Sequence, residues 1–237
     1  MKKYILALLC AFFTVCSVGF VSRMNQKDVA PNREVMENTV VEIQNIQCAL
    51  ETPYGNIEEI ADSSETIIWG SIKNRESFAT LNGIIWTKET VNVLEILKGS
   101  YVDNEIYVYK MGGEVTVDEY VNSYSSDIAD IKRAEYSQYN KDSMVKQLFS
   151  EKELSDIGTC EILFLRQISK FDQEDNAYEP IGDYMGIYTS DLSCELENNA
   201  TSSNANPRSS AIGELYETSY NGYFGSFTYD ALQSLIK

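Results

Sequence analysis

The sequence predicts a mainly β domain with an α-helical insertion, and three observations carry that reading. β-Branched and aromatic residues gather in short runs closed by glycine or polar turns. A long polar stretch with helix-start signals interrupts those runs. The chain then resumes with a run that is apolar at nearly every position, as a strand buried on both faces would be.

The elements follow in order. Asn56 precedes Ile57-Glu58-Glu59-Ile60-Ala61 and is placed to cap a short helix whose early carboxylates suit its N-terminal dipole. Thr66–Ile72 reads as a strand, with Gly70 marking a bulge or a close backbone approach. Ile84–Thr87 and Thr90–Leu97 read as one long strand or two, and Lys98-Gly99-Ser100 as a turn. Glu105–Lys110 is a third strand, stopped by Gly112-Gly113. Residues 114–158 are expected to form a surface insertion of two or three helices. Thr116-Val117-Asp118-Glu119 and Ser150-Glu151-Lys152-Glu153 have capping-box spacing, and Ile128, Ile131, Val145 and Leu148 supply a thin apolar stripe. Cys160–Leu165 is the central strand, and Tyr178–Ile181 and Gly186–Thr189 complete the β pattern. Ile68, Val93, Val108 and Phe164 are expected in one core.

The first residues have the form of an export signal. Met1-Lys2-Lys3 is basic and Tyr4–Val21 carries no charge. Three fates fit: cleavage after Gly19, retention as an anchor, since roughly 18 apolar residues is the lower limit for a span, or lipidation at Cys16. The expected organisation is a signal or anchor over 1–22, a tether over 23–55, the β domain over 56–190, a polar linker over 191–212, and a C-terminal segment over 213–237 whose terminal helix is capped by Thr228.

Composition excludes several function classes. Acidic residues number 36 against 19 basic, a formal charge of −17, and such a field repels nucleic acid and anionic lipid. Membrane contact is expected only through the N-terminal segment. Histidine is absent, which removes His-ligated metals and the Ser–His and Cys–His nucleophile pairs. Beyond the signal the cysteines are Cys48, Cys160 and Cys194, an odd number, so either one pair such as Cys160–Cys194 or three free thiols fits.

The remaining motifs have ordinary readings. Ser143-x-x-Lys146 and Ser234-x-x-Lys237 have the spacing of serine–lysine acyl enzymes but lack the partner motifs. Asp172–Asn176 with Asp183 places oxygens as a calcium loop would, yet Ala177 stands where glycine is needed, so a solvated hairpin tip is expected. Asn199-Ala200-Thr201 is a glycosylation sequon. The 16 tyrosines suit sheet packing as well as ligand contact. No catalytic, cofactor-binding or metal-ligating residue is therefore assigned.

The order of these pieces resembles a group of uncharacterised secreted or surface proteins of Gram-positive bacteria. The matching runs are Ile67-Ile68-Trp69-Gly70-Ser71-Ile72, Val91–Gly99 ending in Leu97-Lys98-Gly99, Ile106-Tyr107-Val108 with Gly112-Gly113, Ile162–Leu165, and Gly186-Ile187-Tyr188. The resemblance covers residues 61–190. It implies a five-stranded OB-like Greek-key barrel, similar in outline to the inhibitory domain of tissue metalloprotease inhibitors, with the helical insertion before strand four. The N-terminal cysteine those inhibitors use has no counterpart here, so no activity transfers. The function expected is a non-catalytic binding or interaction module of the cell envelope, with an unknown protein or envelope ligand as partner. The alternatives are a carboxylate-dependent secreted hydrolase and a structural or stress-related envelope protein.

The export reading has a direct check. A reporter enzyme active only outside the cytoplasm, fused after Lys237, should be active; activity of a cytoplasm-only reporter at that position would remove the reading.

Overall fold

Strand pairing follows from which residues alternate. The computed structural model describes residues 39–47, 54–100, 102–169, 171, 176–193 and 219–236, all within the unit Met36–Lys237. Residues 66–80 form β2, and 84–98 form β3, two long antiparallel strands joined by a tight turn at Leu81–Gly83. The second and third expected runs are thus one continuous strand. β3 pairs with β4 (Glu105–Met111), and β2 pairs on its other side with β7 (Thr159–Gln167). β8 (Ala177–Pro180) pairs in parallel with β4 and antiparallel with β7. β9 (Ile187–Ser193) adds to β7, and β10 (Ser219–Gly222) with β11 (Gly225–Thr228) extends the sheet beyond it. The protein is mainly β, with one large mixed sheet.

Two cores lie on opposite faces of these strands, as a side-chain period of two requires. The first contains Ile68, Val91, Val93, Ile106, Val108, Leu163, Leu165 and Tyr178. The second contains Ile67, Trp69, Ile162, Phe164, Tyr188, Tyr220 and Leu232, and is roofed by α1 (Ile57–Ser63) and α4 (Tyr229–Leu235). Ile68, Val93 and Val108 share a core as expected, but Phe164 belongs to the other one. It follows Leu163 and precedes Leu165, so alternation turns it away from them.

Local signals explain several details. Asn56 caps α1, its Oδ1 accepting from Glu59 N–H at 2.8 Å. Gly70 stands at a register shift between β2 and β3; a Cβ there would lie 2.5 Å from Val91 Cγ1. Gly112 and Gly113 both have positive φ, +98° and +125°, which turns the chain from β4 into the next strand, β5 (Gly113–Thr116). Thr228 precedes α4, with no side-chain capping bond.

The segment 114–158 differs from its expected all-helical form. It contains β5 (Gly113–Thr116), α2 (Val117–Asn122), α3 (Ser126–Glu135) and β6 (Met144–Phe149). β6 lies between β5 and a parallel β1 (Val40–Ile46), a strand drawn from the expected tether. Val115, Val117, Tyr120, Val121 and Val145 form a third core with Ile85 of β3. The expected stripe is therefore not one face: Val145 and Leu148 are strand residues, while Ile128 and Ile131 are 41% and 59% exposed. Thr116 caps α2, accepting from Glu119 N–H at 3.2 Å, but Glu119 Oε1 accepts from Ala79 N–H at 2.9 Å rather than closing the box. Ser150 and Glu151 have φ of 50° and 62°, a left-handed turn that cannot start a helix.

The calcium-like stretch Asp172–Asp175, the sequon and Cys194 lie outside the described residues, as does the expected signal. β9 continues to Ser193, past the expected start of the linker at 191.

Phe164 is fully buried and packs edge-on against Tyr188, with ring centroids 5.6 Å apart. Phe164→Ala should cost about 3–5 kcal/mol in denaturant unfolding. A loss below about 1 kcal/mol would contradict its central position.

Candidate functional site

Three charged side chains meet on the first-core face. Glu89 is in phase with Val91 and Val93 on β3, Lys110 with Ile106 and Val108 on β4, and Glu161 with Leu163 and Leu165 on β7. Alternation alone sends all of them inward. Lys110 stands opposite Thr87, one diagonal step from Glu89, within reach of long side chains. Glu161 stands opposite Gly70 on β2. Lys110 Nζ lies 2.6 Å from Oε2 of Glu89 and 2.6 Å from Oε2 of Glu161. The three side chains are 3%, 0% and 1% exposed, respectively.

The cluster carries one more negative than positive charge when all three groups are ionised. Glu89 Oε1 and Glu161 Oε1 have no hydrogen-bond partner among the described residues. Burial raises the pKa of Glu89 from its ordinary value of 4.5; Lys110 opposes the rise and Glu161 adds to it. Burial alone would lower the pKa of Lys110, but Glu161 and Glu89 outweigh it and the net direction is up. Arg75, which lies 3.5 Å from Asp156, also acts on Glu89 and favours its ionised form. Lys110 borders a cavity of about 50 Å³, lined also by Met111, Phe149, Glu153, Tyr184 and Ile187. Such a space suits a water molecule rather than a substrate.

On the other face of β3 and β4 lies an aromatic cluster. Trp86 and Lys88 alternate with Glu89 on β3, and Tyr107 and Tyr109 alternate with Lys110 on β4. Phe171 stacks on Tyr109 at 5.0 Å and 24°, and its ring lies 4.8 Å from Trp86 and 5.7 Å from Phe78. Lys88 Nζ sits 3.9 Å from the centroid of Tyr107. Tyr107, Lys88, Phe78 and Phe171 are half-buried, so this face is only partly covered.

No family model, curated protein or solved structure matches the chain. The chemistry must therefore be read from these residues themselves.

The sequence motifs do not assemble a second site. Ser143 precedes β6 and is buried, whereas Lys146 lies on the strand and bonds outward to Glu114 at 3.2 Å and Glu153 at 2.9 Å. The helical geometry needed for a serine–lysine pair is absent there. Ser234 Oγ donates to Asp230 O at 3.0 Å, and Lys237 is outside the described residues. Among the described residues no group of three or more His, Cys, Asp or Glu side chains is arranged to hold a metal ion. Cys160 is disulfide-bonded, so the three-free-thiol reading does not hold; the partner that the sequence suggested, Cys194, is outside the described residues.

Sequence reasoning missed Glu89, Lys110 and Glu161. A signal was present: each is a charge in phase with the apolar, inward positions of its own strand. Among 36 acidic residues that signal stands out only when strand phase is tracked residue by residue.

The cluster makes stability depend on two measurable variables. Lys110→Met strands two facing carboxylates and should cost about 3–5 kcal/mol. Glu89 binds a proton more readily folded than unfolded, so stability should fall as pH rises from the ordinary value of 4.5 through its raised folded value. Glu89→Gln should flatten that part of a stability–pH profile, and an unchanged slope would count against the assignment.

Proposed function

We propose that the chain is an extracytoplasmic, non-catalytic binding module of the cell envelope, built on an OB-like barrel like that of the Gram-positive surface proteins it resembles. The observation that carries this reading is the aromatic and cationic face on β3 and β4. Pairings β2–β3, β3–β4, β4–β8, β8–β7 and β7–β2 run in a cycle, with β4 and β8 parallel. OB folds bind ligands over their second and third strands and over the connection between the fourth and fifth. β3 and β4 hold the corresponding places in the cycle, and Phe171 comes from the connection between β7 and β8.

The ligand chemistry follows from the side chains. Tyr107, Phe78 and Phe171 offer flat apolar area, and Lys88 over the Tyr107 ring adds a cation. An envelope ligand with a flat ring face, such as a glycan, fits them. A polyanionic nucleic acid is disfavoured by the net charge of −17. A hydrolase reading gains nothing from Glu89 and Glu161, because both carboxylates are sealed beneath Lys110, where no substrate reaches them. The disulfide at Cys160 supports an oxidising compartment and so favours export. Among the described residues no helix is long and apolar enough to cross a membrane.

Binding of the purified chain to isolated envelope glycan tests the reading. The wild type should bind saturably, and Lys88→Ala with Tyr107→Ala should weaken binding by about tenfold or more, as loss of an interface hot spot does. The melting temperature should stay nearly unchanged. An absence of saturable wild-type binding to glycan and to whole envelopes would remove the proposal.

A further inference from the structure

The strongest unassigned feature is the amine of Lys110 held between two carboxylates and out of water. We propose that Lys110 and Glu161 are joined by an intramolecular isopeptide bond that the protein forms by itself, with Glu89 as the proton-transfer group.

Geometry and desolvation carry the inference. Nζ of Lys110 already lies 2.6 Å from an oxygen of each carboxylate, so the reacting groups are in contact before any motion. Groups held in this way react as if at concentrations of about 10⁵–10⁸ M. In bulk water hydrolysis opposes amide formation; here the groups are 3% exposed or less. Keeping the Lys110–Glu161 ion pair buried is costly, and condensation removes its positive and its negative charge together. The two orphaned oxygens, Glu89 Oε1 and Glu161 Oε1, show that the ionic arrangement leaves buried acceptors unsatisfied.

The step balances without any added reagent. Lys110 passes one ammonium proton to the Glu161 carboxylate, which leaves a neutral amine beside a carboxylic acid. The nitrogen lone pair then attacks Cδ of Glu161. Glu89, entering protonated, donates to the departing hydroxyl and takes a proton from the nitrogen, so it ends as it began. The C–N bond forms, the C–O bond breaks, and one water leaves; nothing is oxidised or reduced. The cavity of about 50 Å³ beside Lys110 is large enough to receive that water.

Roles are divided by surroundings. Lys110 donates a hydrogen bond to Glu161 Oε2 at 2.6 Å, which aligns the nitrogen with that carboxyl. Glu89 Oε2 lies 2.6 Å from Lys110 Nζ, within reach for proton exchange with that nitrogen, while its Oε1 has no hydrogen-bond partner among the described residues. The bond would also lie where the sheet lacks other closure. β8 pairs with β4 at Tyr107 and Val108, and with β7 from Leu165 to Gln167. No ladder joins β4 and β7 at the level of Lys110 and Glu161 among the described residues. A covalent link there ties positions separated by 51 in sequence.

Mass spectrometry of the purified full chain, with its disulfide reduced, tests this. The wild type should be lighter than its sequence by one water. Proteolysis should release a branched peptide joining Lys110 to Glu161. Lys110→Arg, which keeps the charge, should have its full mass. Glu161→Gln should lose ammonia instead of water. Glu89→Gln, which retains both reacting groups, should accumulate unlinked chain. A wild type of full mass after prolonged incubation, whatever the variants do, would overturn the proposal. A branch from Lys110 to Glu89 would overturn the assignment of roles.

Discussion

Lys110 is the point on which three strands depend. β4 delivers its amine, and β3 and β7 deliver the carboxylates that hold it at 2.6 Å. Remove the amine and two carboxylates face each other in an apolar core; remove one carboxylate and the cluster becomes neutral. This asymmetry makes the lysine more critical than either partner. It also constrains the neighbourhood. Gly70 must stay small opposite Glu161, because a Cβ there would strike Val91, itself part of the core that seals the charges from water.

A second polar device joins the three-stranded sheet to the large one. Gln147 of β6 is buried, its Nε2 donating to Gly83 O at 2.5 Å and its Oε1 accepting from Ile85 N–H at 2.7 Å. It also donates to Gln44 Oε1 at 2.8 Å, which links β1 to the same network. The chain of bonds continues through Tyr120, which shares a hydrogen bond with Tyr124 at 2.7 Å, while Tyr136 donates to Glu42. Burial, with these bonds, raises the pKa of Tyr124 and Tyr136, so both phenols stay protonated. Segment 114–158 is thus fastened to the β2–β3 turn by satisfied buried groups, not draped over it. Replacing residues 115–156 with a short link would orphan the groups at Gly83 and Ile85 and expose part of the third core, so the segment is a part of the packed β domain and not only a surface insertion.

How far the sequence reached can be judged element by element. Strands β2, β3, β4, β7 and β8 were legible because their β-branched and aromatic runs are long or cleanly bounded. β5 and β6 were not: Gly113–Thr116 is four residues long, and Met144–Phe149 reads equally well as part of a helix. β1 was legible only as a modest alternation at Val40, Val41, Ile43 and Ile46. Its pairing with β6 is parallel and spans about a hundred residues, and no local pattern announces such a partner. The hairpin β10–β11 was hidden by an aromatic composition that fits many structures.

By itself, the sequence determined the charge of −17, the loss of histidine chemistry, the mainly β class and the phase of each strand, since these depend on composition and short-range alternation. Phase already directed Glu89, Lys110 and Glu161 inward on their own strands. Only the tertiary structure decided that they meet, because β3, β4 and β7 are brought together by register and by the cycle of pairings. Those depend on contacts far apart in the chain. The same holds for Phe171, whose place over Tyr109 and Trp86 is decided by where β7 hands over to β8.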